Sequence, residues 1–196
     1  MQLRKEQDRL LFDPCGVVRA HTLPTARRRH SLDGLRLGVL DNSKWNANKL
    51  LRGAAAALGQ RFRFAQVHYY VKGSFSKDAA PELIAQIARE NDVVLTAIGD
   101  CGSCCSCCIR DAVALEKQGL PTAAVITGEF VNETALTKQA LGMPDLRPVV
   151  IEHPVSAITA AEIERRVAEV VRQAETVWRE HAAEAARADV AAGAAP

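Results

Sequence analysis

Residues 93–108 read Val-Val-Leu-Thr-Ala-Ile-Gly-Asp-Cys-Gly-Ser-Cys-Cys-Ser-Cys-Cys, an apolar run that leads directly into five cysteines. The apolar half predicts a buried strand, since short β-rich runs that end at glycine are typical of parallel sheets. The cysteine cluster, defined here as the five cysteines of residues 101–108, would then lie at the carboxyl edge of the sheet, where a helix begins. Open α/β sheets bind ligands at that edge, and a helix N-terminus favours a thiolate. This position predicts thiol chemistry or metal ligation.

Strand and helix patterns alternate along the rest of the chain. The predicted strands are 35–40, 62–71, 92–99, 122–127 and 148–153. The predicted helices are 46–58, 81–91, 103–118 (with Ser103 as its cap), 132–142 and a last helix that starts at a Thr159–Glu162 capping box. Strict alternation predicts a five-stranded parallel sheet with helices on both faces, a flavodoxin-like or Rossmann-like three-layer α/β sandwich. The expected strand order is 2-1-3-4-5, which makes strands one and three neighbours.

The chain divides into three parts in this reading. Residues 1–33 form an irregular arm, residues 34–181 form the α/β domain, and residues 182–196 form an Ala-rich tail. The last helix carries an apolar stripe at helical period. That stripe faces either the sheet or a partner subunit, so a homo-oligomer formed through this helix is one expectation.

Composition narrows the function classes. The 196 residues carry 25 basic and 23 acidic side chains, and a net charge of +2 gives no footprint for nucleic acid. No apolar run approaches the roughly 20 residues of a membrane span, and no signal-peptide pattern is present, so we expect a cytoplasmic protein. In a reducing compartment, clustered cysteines are catalytic or metal-binding more often than disulfide-bonded. Neither a G-x-G-x-x-G nor a P-loop pattern occurs, so no nucleotide cofactor is inferred.

The spacing of the cysteine cluster is open to several interpretations. Cys101/Cys104, Cys104/Cys107 and Cys105/Cys108 are each C-x-x-C pairs, as in dithiol redox centres and in half of a zinc site. Cys101, Cys105 and Cys108 also match a spacing that suits an iron–sulfur cluster. The metal alternative therefore takes Cys101, Cys104, Cys105 and Cys108 as ligands of zinc or of an iron–sulfur cluster, although no second Cys/His pair is present. Small buried hydrophobes are the third reading.

The loop after the first strand is expected beside the cysteine cluster. If strands one and three are neighbours, Lys44 would stabilise a Cys101 thiolate, and the amides of Asn42 and Asn46 would orient a substrate. The alternatives are a solvated Lys44 and an Asn46 that only caps a helix.

Several motifs in order resemble the UGSC-motif family, which is named for a Sec/Cys-Gly-Ser-Cys sequence. The matching stretches are 99–104, Asp111, 115–122 and 141–146, together with 41–44, 46–47 and 152–154, over roughly residues 12–180. The family is distantly similar to the catalytic component B subunits of glycine, sarcosine and betaine reductases. The resemblance implies a selenol or thiol at Cys101, with Cys104 as its partner, that attacks an electrophilic carbon of a small molecule. The adduct is then resolved by thiol chemistry.

This chain departs from the family pattern at five positions. Cysteine replaces selenocysteine at Cys101, and a thiol is a weaker nucleophile that depends more on a lowered pKa. Cys105 stands where threonine is expected, Cys107 and Cys108 stand where bulkier residues are usual, and Trp45 stands where proline is common. The extra thiols keep the metal alternative in play.

Further residues take predicted roles around the pair. Gly102 permits a tight turn and the close approach of a substrate, and the amides of Gly102 and Ser103 lie beside the thiol. Asp100 is either an acid or base or a charge that raises the thiol pKa, and His153 is either a proton donor or a polar edge residue. Cys108 would accept the disulfide from Cys104, whereas Cys15 is incidental.

The partners that follow are a small-molecule substrate and a thiol reductant or reductase partner subunit. A non-catalytic subunit of a larger reductase complex is a further reading.

Overall fold

A computed structural model describes residues 20–179 in full and the backbone of residues 3–6 and 9–12. Its strands are β1 (Leu3–Glu6), β2 (Arg9–Phe12), β3 (Arg36–Asp41), β4 (Gln66–Val71), β5 (Val93–Gly99), β6 (Thr122–Thr127) and β7 (Val149–Ile151). Its α-helices are α1 (Ala47–Arg61), α2 (Pro81–Glu90), α3 (Gly102–Lys117), α4 (Val131–Ala140) and α5 (Ala160–Trp178).

Strands β3 to β7 form one parallel sheet in the order β4-β3-β5-β6-β7. In chain order this is 2-1-3-4-5, so the predicted three-layer α/β fold and its switch point are confirmed. Every residue of β5 and β6 is buried. Helices α1 and α5 cover one face of the sheet, and α2, α3 and α4 cover the other. The carboxyl ends of β3 and β5 are therefore neighbours, which places the loop with Lys44 beside the cysteine cluster as predicted.

The arm of residues 1–33 is more ordered than the sequence predicted. Strands β1 and β2 pair as an antiparallel hairpin, so the expectation of irregular structure was wrong there. Farther along the arm, the buried carboxylate of Glu116 accepts hydrogen bonds from Ala26 N at 2.6 Å and Arg28 Nη1 at 2.7 Å. A single buried acid of α3 thus holds this part of the arm against the domain.

Several element boundaries differ from the predicted ones, and β7 is half as long as predicted, at Val149–Ile151. Helix α1 continues through Gly59, which was expected to end it, and β4 begins four residues later than predicted. A 3-10 turn at Gly128–Phe130 leads into α4 one residue before the predicted Asn132 cap. The cap of α3 is the thiol of Cys101 instead of the Ser103 hydroxyl. Tertiary packing helps to set where helices and strands end, so local sequence predicts these ends only to within a few residues.

The apolar stripe of α5 is buried within the chain. The predicted capping box is present, and the Trp178 indole donates to Val94 O at 3.0 Å. Val170, Ala174 and Trp178 belong to the core that includes β3, β5 and β6. The stripe therefore faces its own sheet, and the alternative of a partner subunit loses its basis. The tail at 182–196 and Cys15 lie outside the described residues. Among the described residues, no helix combines the length and apolarity needed to cross a membrane.

Candidate active site

The loops after β3 and β5 meet at the carboxyl edge of the sheet. Lys44 Nζ lies 3.6 Å from Cys101 Sγ, so the predicted adjacency of the two loops is confirmed. The same ammonium lies 4.5 Å from the centre of the Phe75 ring. Lys44 is half-buried between these two groups, which differs from the solvated surface position that was the alternative. A cation at this distance favours the anionic form of the Cys101 thiol.

Cys101 occupies the N-cap of α3 in extended conformation. Its sulfur accepts a hydrogen bond from Cys104 N at 3.3 Å, which satisfies one of the amides that a helix start leaves unpaired. The Cys104 sulfur lies 2.7 Å from the Cys101 sulfur, and it also accepts a hydrogen bond from Asp100 N at 3.1 Å. The Ser103 hydroxyl is 3.7 Å from Cys101 Sγ. The two thiols of the predicted pair are therefore in contact.

The environment moves the pKa values of the two thiols in opposite directions. Burial alone would raise the pKa of Cys101, but hydrogen bonds from the Cys104 thiol and amide and from Ser103, with the charge of Lys44, lower it below its usual value. Burial, followed by the hydrogen bond to Cys101, raises the pKa of Cys104 to about 12. The half-buried Cys101 is thus the better thiolate, and the fully buried Cys104 stays protonated beside it.

Close packing of α3 on β5 sets the position of the pair. A Cβ added to Gly99 would lie 3.0 Å from Cys105 Cα and 2.9 Å from Ile126 Cγ2. Only glycine lets the helix start so near the strand. Gly102, by contrast, has open space around it and is exposed, as is Ser103. Cys101 therefore has its exposed neighbours on the solvent side, where a substrate would approach.

The remaining cysteines of the cluster point away from the pair. Cys105 Sγ lies 3.2 Å from Thr134 Oγ1, and Cys108 Sγ is 3.9 Å from Val125 O. Both are fully buried in an apolar cluster with Ile109 and Met143, and burial raises the pKa of each. For these two cysteines the reading as small buried hydrophobes describes the geometry.

Cys107 is half-buried, and burial together with Asp78 raises its pKa. The metal alternative needs Cys101, Cys104, Cys105 and Cys108 to converge on one point. Throughout residues 20–179, no group of three or more His, Cys, Asp or Glu side chains is arranged to hold a metal ion. The arrangement favours the two-cysteine reading.

The amides of Asn42 and Asn46 hold the first loop in place. Asn42 Nδ2 donates to Ile98 O at 2.9 Å, and Asn42 Oδ1 accepts from Lys44 N at 3.2 Å. Asn46 adopts φ 64° at the N-cap of α1, but its side chain makes no capping bond and donates to Val155 O at 3.0 Å. Asparagine tolerates this left-handed conformation better than most residues. Both amides are buried and position the loop, so the expectation that they orient a substrate has no support from their contacts.

Asp100 is a buried carboxylate enclosed by donors from the loop after β7. It accepts hydrogen bonds from Val155 N at 3.2 Å, Ser156 N at 3.1 Å and Ser156 Oγ at 2.9 Å. His153 Nδ1 lies 3.0 Å from Asp100 Oδ1. These contacts give Asp100 a role that neither prediction named: it fixes the loop after β7 and pairs with His153.

His153 is also fixed from its other side. Thr127 Oγ1 lies 3.0 Å from Nδ1 and donates to Gly99 O at 3.3 Å, so it acts as an acceptor toward the ring. With Asp100 as the second acceptor, these partners assign the proton of the neutral ring to Nδ1 and leave the lone pair on Nε2. About a third of the His153 side chain is exposed.

Sequence reasoning missed one buried ion pair beside the site. Lys72 and Asp111, both almost fully buried, form a salt bridge, and Lys72 Nζ also donates to Lys77 O at 2.8 Å. Asp111 Oδ1 accepts from Ala79 N at 2.7 Å. This pair ties the loop of residues 72–80 to α3, and Lys72 O accepts from Ser43 Oγ in the first loop. Its members lie 39 positions apart, so no local pattern could reveal it.

Comparison with known protein families gives one match. The model of the UGSC family matches residues 10–180, which include both loops, the cysteine pair and the His153 loop. Among curated proteins, no match was found.

Proposed function

The chain belongs to the UGSC family, and from that premise we propose that it is a thiol-dependent enzyme acting on a small molecule through Cys101 and Cys104. The observation that carries the proposal is the contact between two thiols whose pKa values are shifted in opposite directions. Cys101 has the lowered pKa and lies 3.6 Å from a lysine, and Cys104 has a pKa of about 12 and lies 2.7 Å from Cys101. Nucleophile and resolving thiol are the two roles that such a pair supplies.

The first step is a nucleophilic substitution. The Cys101 thiolate attacks an electrophilic carbon that bears a leaving group X; a sulfur–carbon bond forms and X departs with the bonding electrons. Lys44, beside the sulfur, stabilises the thiolate before attack. The exposed surroundings of Gly102 and Ser103 leave room for the substrate.

The second step is reductive resolution. Cys104 loses its proton and attacks the Cys101 sulfur; a disulfide forms, and the substrate carbon leaves with the electron pair of the broken sulfur–carbon bond. In this scheme Nε2 of His153, whose Nδ1 is held by Asp100 and Thr127, takes up the proton that Cys104 loses and delivers it to that carbon. The sum converts R–X and two thiols into R–H, HX and a disulfide. A departing carbanion needs stabilisation, so the suitable carbon lies next to a carbonyl group, where the anion is an enolate.

A second thiol or dithiol must then reduce the disulfide. The reductant would attack the Cys101 sulfur of the disulfide, because Cys101 is partly exposed and Cys104 is buried. A small dithiol or a reductase partner protein both fit this requirement, and either one returns the pair to two thiols.

The proposal is tested with bromoacetone, a small ketone with bromide on the carbon next to the carbonyl. One equivalent of reduced protein should yield one equivalent of acetone and one Cys101–Cys104 disulfide, detected by mass spectrometry. With excess dithiothreitol, turnover should continue. Cys104→Ser should stop at a stable Cys101 adduct without acetone, and Cys101→Ser should give neither product.

Two outcomes would contradict the proposal. One is acetone formation that survives Cys101→Ser, because free thiols would then be responsible. The other is stoichiometric zinc or iron in protein purified without chelator and air, lost on substituting Cys105 or Cys108, since the cysteines would then be ligands. Cys107→Ser is the matched control, because Cys107 lies in the same cluster, remains partly exposed and takes no part in the scheme.

A further inference from the structure

A cavity of about 500 Å³ opens beside the loop that carries Lys44. Its walls come from the ends of β3 and β4 and from the first turns of α1, with Asp41, Trp45, Lys49, Arg52 and Tyr69 among the lining residues. This volume falls within the range of small-molecule sites. Lys44 lines the cavity as well and contacts Cys101, so one side chain joins the cavity to the candidate nucleophile.

The charge of the cavity is positive. Three cationic side chains, Lys44, Lys49 and Arg52, line it against the single carboxylate of Asp41. That carboxylate accepts from Ser43 N at 2.7 Å through Oδ1 and from the Tyr69 hydroxyl at 2.7 Å through Oδ2, so each of its oxygens already has a partner within the wall. Among the described residues, neither Lys49 nor Arg52 forms a salt bridge. Cations without acidic partners at the rim of a cavity attract an anion.

Arg52 is held in position by an aromatic ring. Its guanidinium carbon lies 4.2 Å from the centre of the Tyr69 ring, and Tyr69 is itself fixed by its hydrogen bond to Asp41. Stacking leaves the edge of the guanidinium available, and that edge matches a carboxylate with two parallel hydrogen bonds. Because the contact with the Tyr69 ring already restricts the Arg52 side chain, less conformational entropy is lost when a ligand binds.

An apolar wall stands beside these charges. Trp45 is 73% exposed and Val71 is 59% exposed, although both line the cavity. Large apolar side chains beside a polar, concave surface mark binding sites for molecules with an apolar body. The combination fits a small organic molecule with one anionic end.

We infer that the substrate of the proposed thiol chemistry is a small carboxylate, with its anionic group on Arg52 and Lys49 and its body against Trp45. This inference rests on the proposed function, which supplies the reacting carbon. That carbon would lie beyond Lys44, on the side of Cys101. Binding energy from the remote carboxylate then orients that carbon for attack. Neutral molecules of the same shape lack this contact and react more slowly.

Two bromomethyl ketones of equal length test the inference: bromolevulinate, which carries a carboxylate at the end remote from its reactive carbon, and its uncharged amide. Mass spectrometry gives the rate at which each labels Cys101. Arg52→Gln should slow labelling by the carboxylate about tenfold, the loss of one charge-assisted contact, and leave labelling by the amide unchanged. Arg61→Gln is the matched control: it removes the same charge from the same helix but lies outside the cavity, where Arg61 pairs with Glu175.

Binding without chemistry separates this inference from the proposed function. In Cys101→Ser protein, phenylacetate should change the fluorescence of the exposed Trp45, whereas phenylacetamide should not; Trp178 is fully buried. Arg52→Gln should weaken the phenylacetate response about tenfold. Equal responses to both compounds, unaffected by Arg52→Gln, would overturn the anionic site and leave the thiol chemistry standing. If phenylacetate binds as expected but Cys101 of the wild-type protein does not react, the thiol chemistry would be overturned and the anionic site would stand.

Discussion

The sulfur of Cys101 caps the helix on which Cys104 sits, and it lies 2.7 Å from the Cys104 sulfur. Capping and pairing therefore use the same atom. An N-cap acceptor is stabilised as an anion by the helix amides, whereas a thiol one turn inside the helix is desolvated. The helix start therefore favours the Cys101 anion, and the burial of Cys104 adds to the difference between the two thiols.

The first prediction is the order in which the cysteines react. At mildly acidic pH, iodoacetamide should label Cys101 before every other cysteine of the cluster, because its pKa is lowered while those of Cys104, Cys105, Cys107 and Cys108 are raised. Peptide mass spectrometry over a time course measures this order. Uniform labelling, or Cys101 as the slowest site, would remove the nucleophile assignment.

The second prediction concerns Lys44. Lys44→Met should slow the labelling of Cys101 by iodoacetamide about two- to fivefold near neutral pH, since a partly exposed ion pair is worth up to about 1 kcal/mol. The rate profile should move to higher pH: with the cation gone, the pKa of Cys101 rises and a smaller fraction is thiolate at a given pH. Lys49→Met is the control, because it removes an equal charge with no contact to Cys101. Equal slowing in both variants would mean that the effect is general electrostatics.

Most of the fold was predictable because strand and helix alternation is a local property. The apolar run at 93–99 and the capping box at Thr159 identified their elements, and the switch-point rule then brought Lys44 to Cys101. A local sequence pattern does not show which partner a polar side chain bonds to in the folded protein. The Asn46 amide bonds to Val155, 109 positions away, so no reading of residues 41–46 could separate a cap from a loop anchor.

The cysteine cluster shows the same limit. Spacing alone allowed three C-x-x-C pairs, and only the orientation of α3 separates Cys104, which faces Cys101, from Cys105 and Cys108, which face the core. A helix places residues three and four apart on the same face, one turn apart, so spacing alone does not separate Cys104 from Cys108. Which face meets the sheet depends on the close contact at Gly99, a tertiary fact.

The third prediction assigns a step to His153. His153→Gln should leave the labelling of Cys101 by iodoacetamide unchanged, because the ring is a donor to the later carbanion and takes no part in the attack. Acetone formation from bromoacetone should slow by about a hundredfold, the usual contribution of general acid catalysis, and the Cys101 adduct should accumulate. Quenched samples analysed by mass spectrometry report both quantities. Parallel loss of labelling and product would contradict this role.

The fourth prediction separates packing cysteines from reactive ones. Cys108→Ser should lower the free energy of unfolding by about 1–3 kcal/mol, because it places a hydroxyl in a fully buried apolar cluster. Cys101→Ser should change stability little, since a serine hydroxyl also caps a helix. Urea denaturation measures both variants, with the partly exposed Cys107→Ser as control. Comparable destabilisation by Cys101→Ser, accompanied by metal release, would favour ligation.

The last prediction concerns the buried ion pair of Lys72 and Asp111. Lys72→Met should destabilise the protein by about 3–5 kcal/mol, because it leaves a buried carboxylate without its cation. Asp111→Leu should cost a similar amount, since the Lys72 ammonium then lacks its partner and Ala79 N loses its acceptor. The double variant removes both charges, so it should be less destabilised than the sum of the two single variants, by about 2 kcal/mol or more. Urea denaturation of the four proteins gives this coupling energy. Additive losses would mean that the two side chains do not depend on each other, and the loop of residues 72–80 would need another anchor on α3.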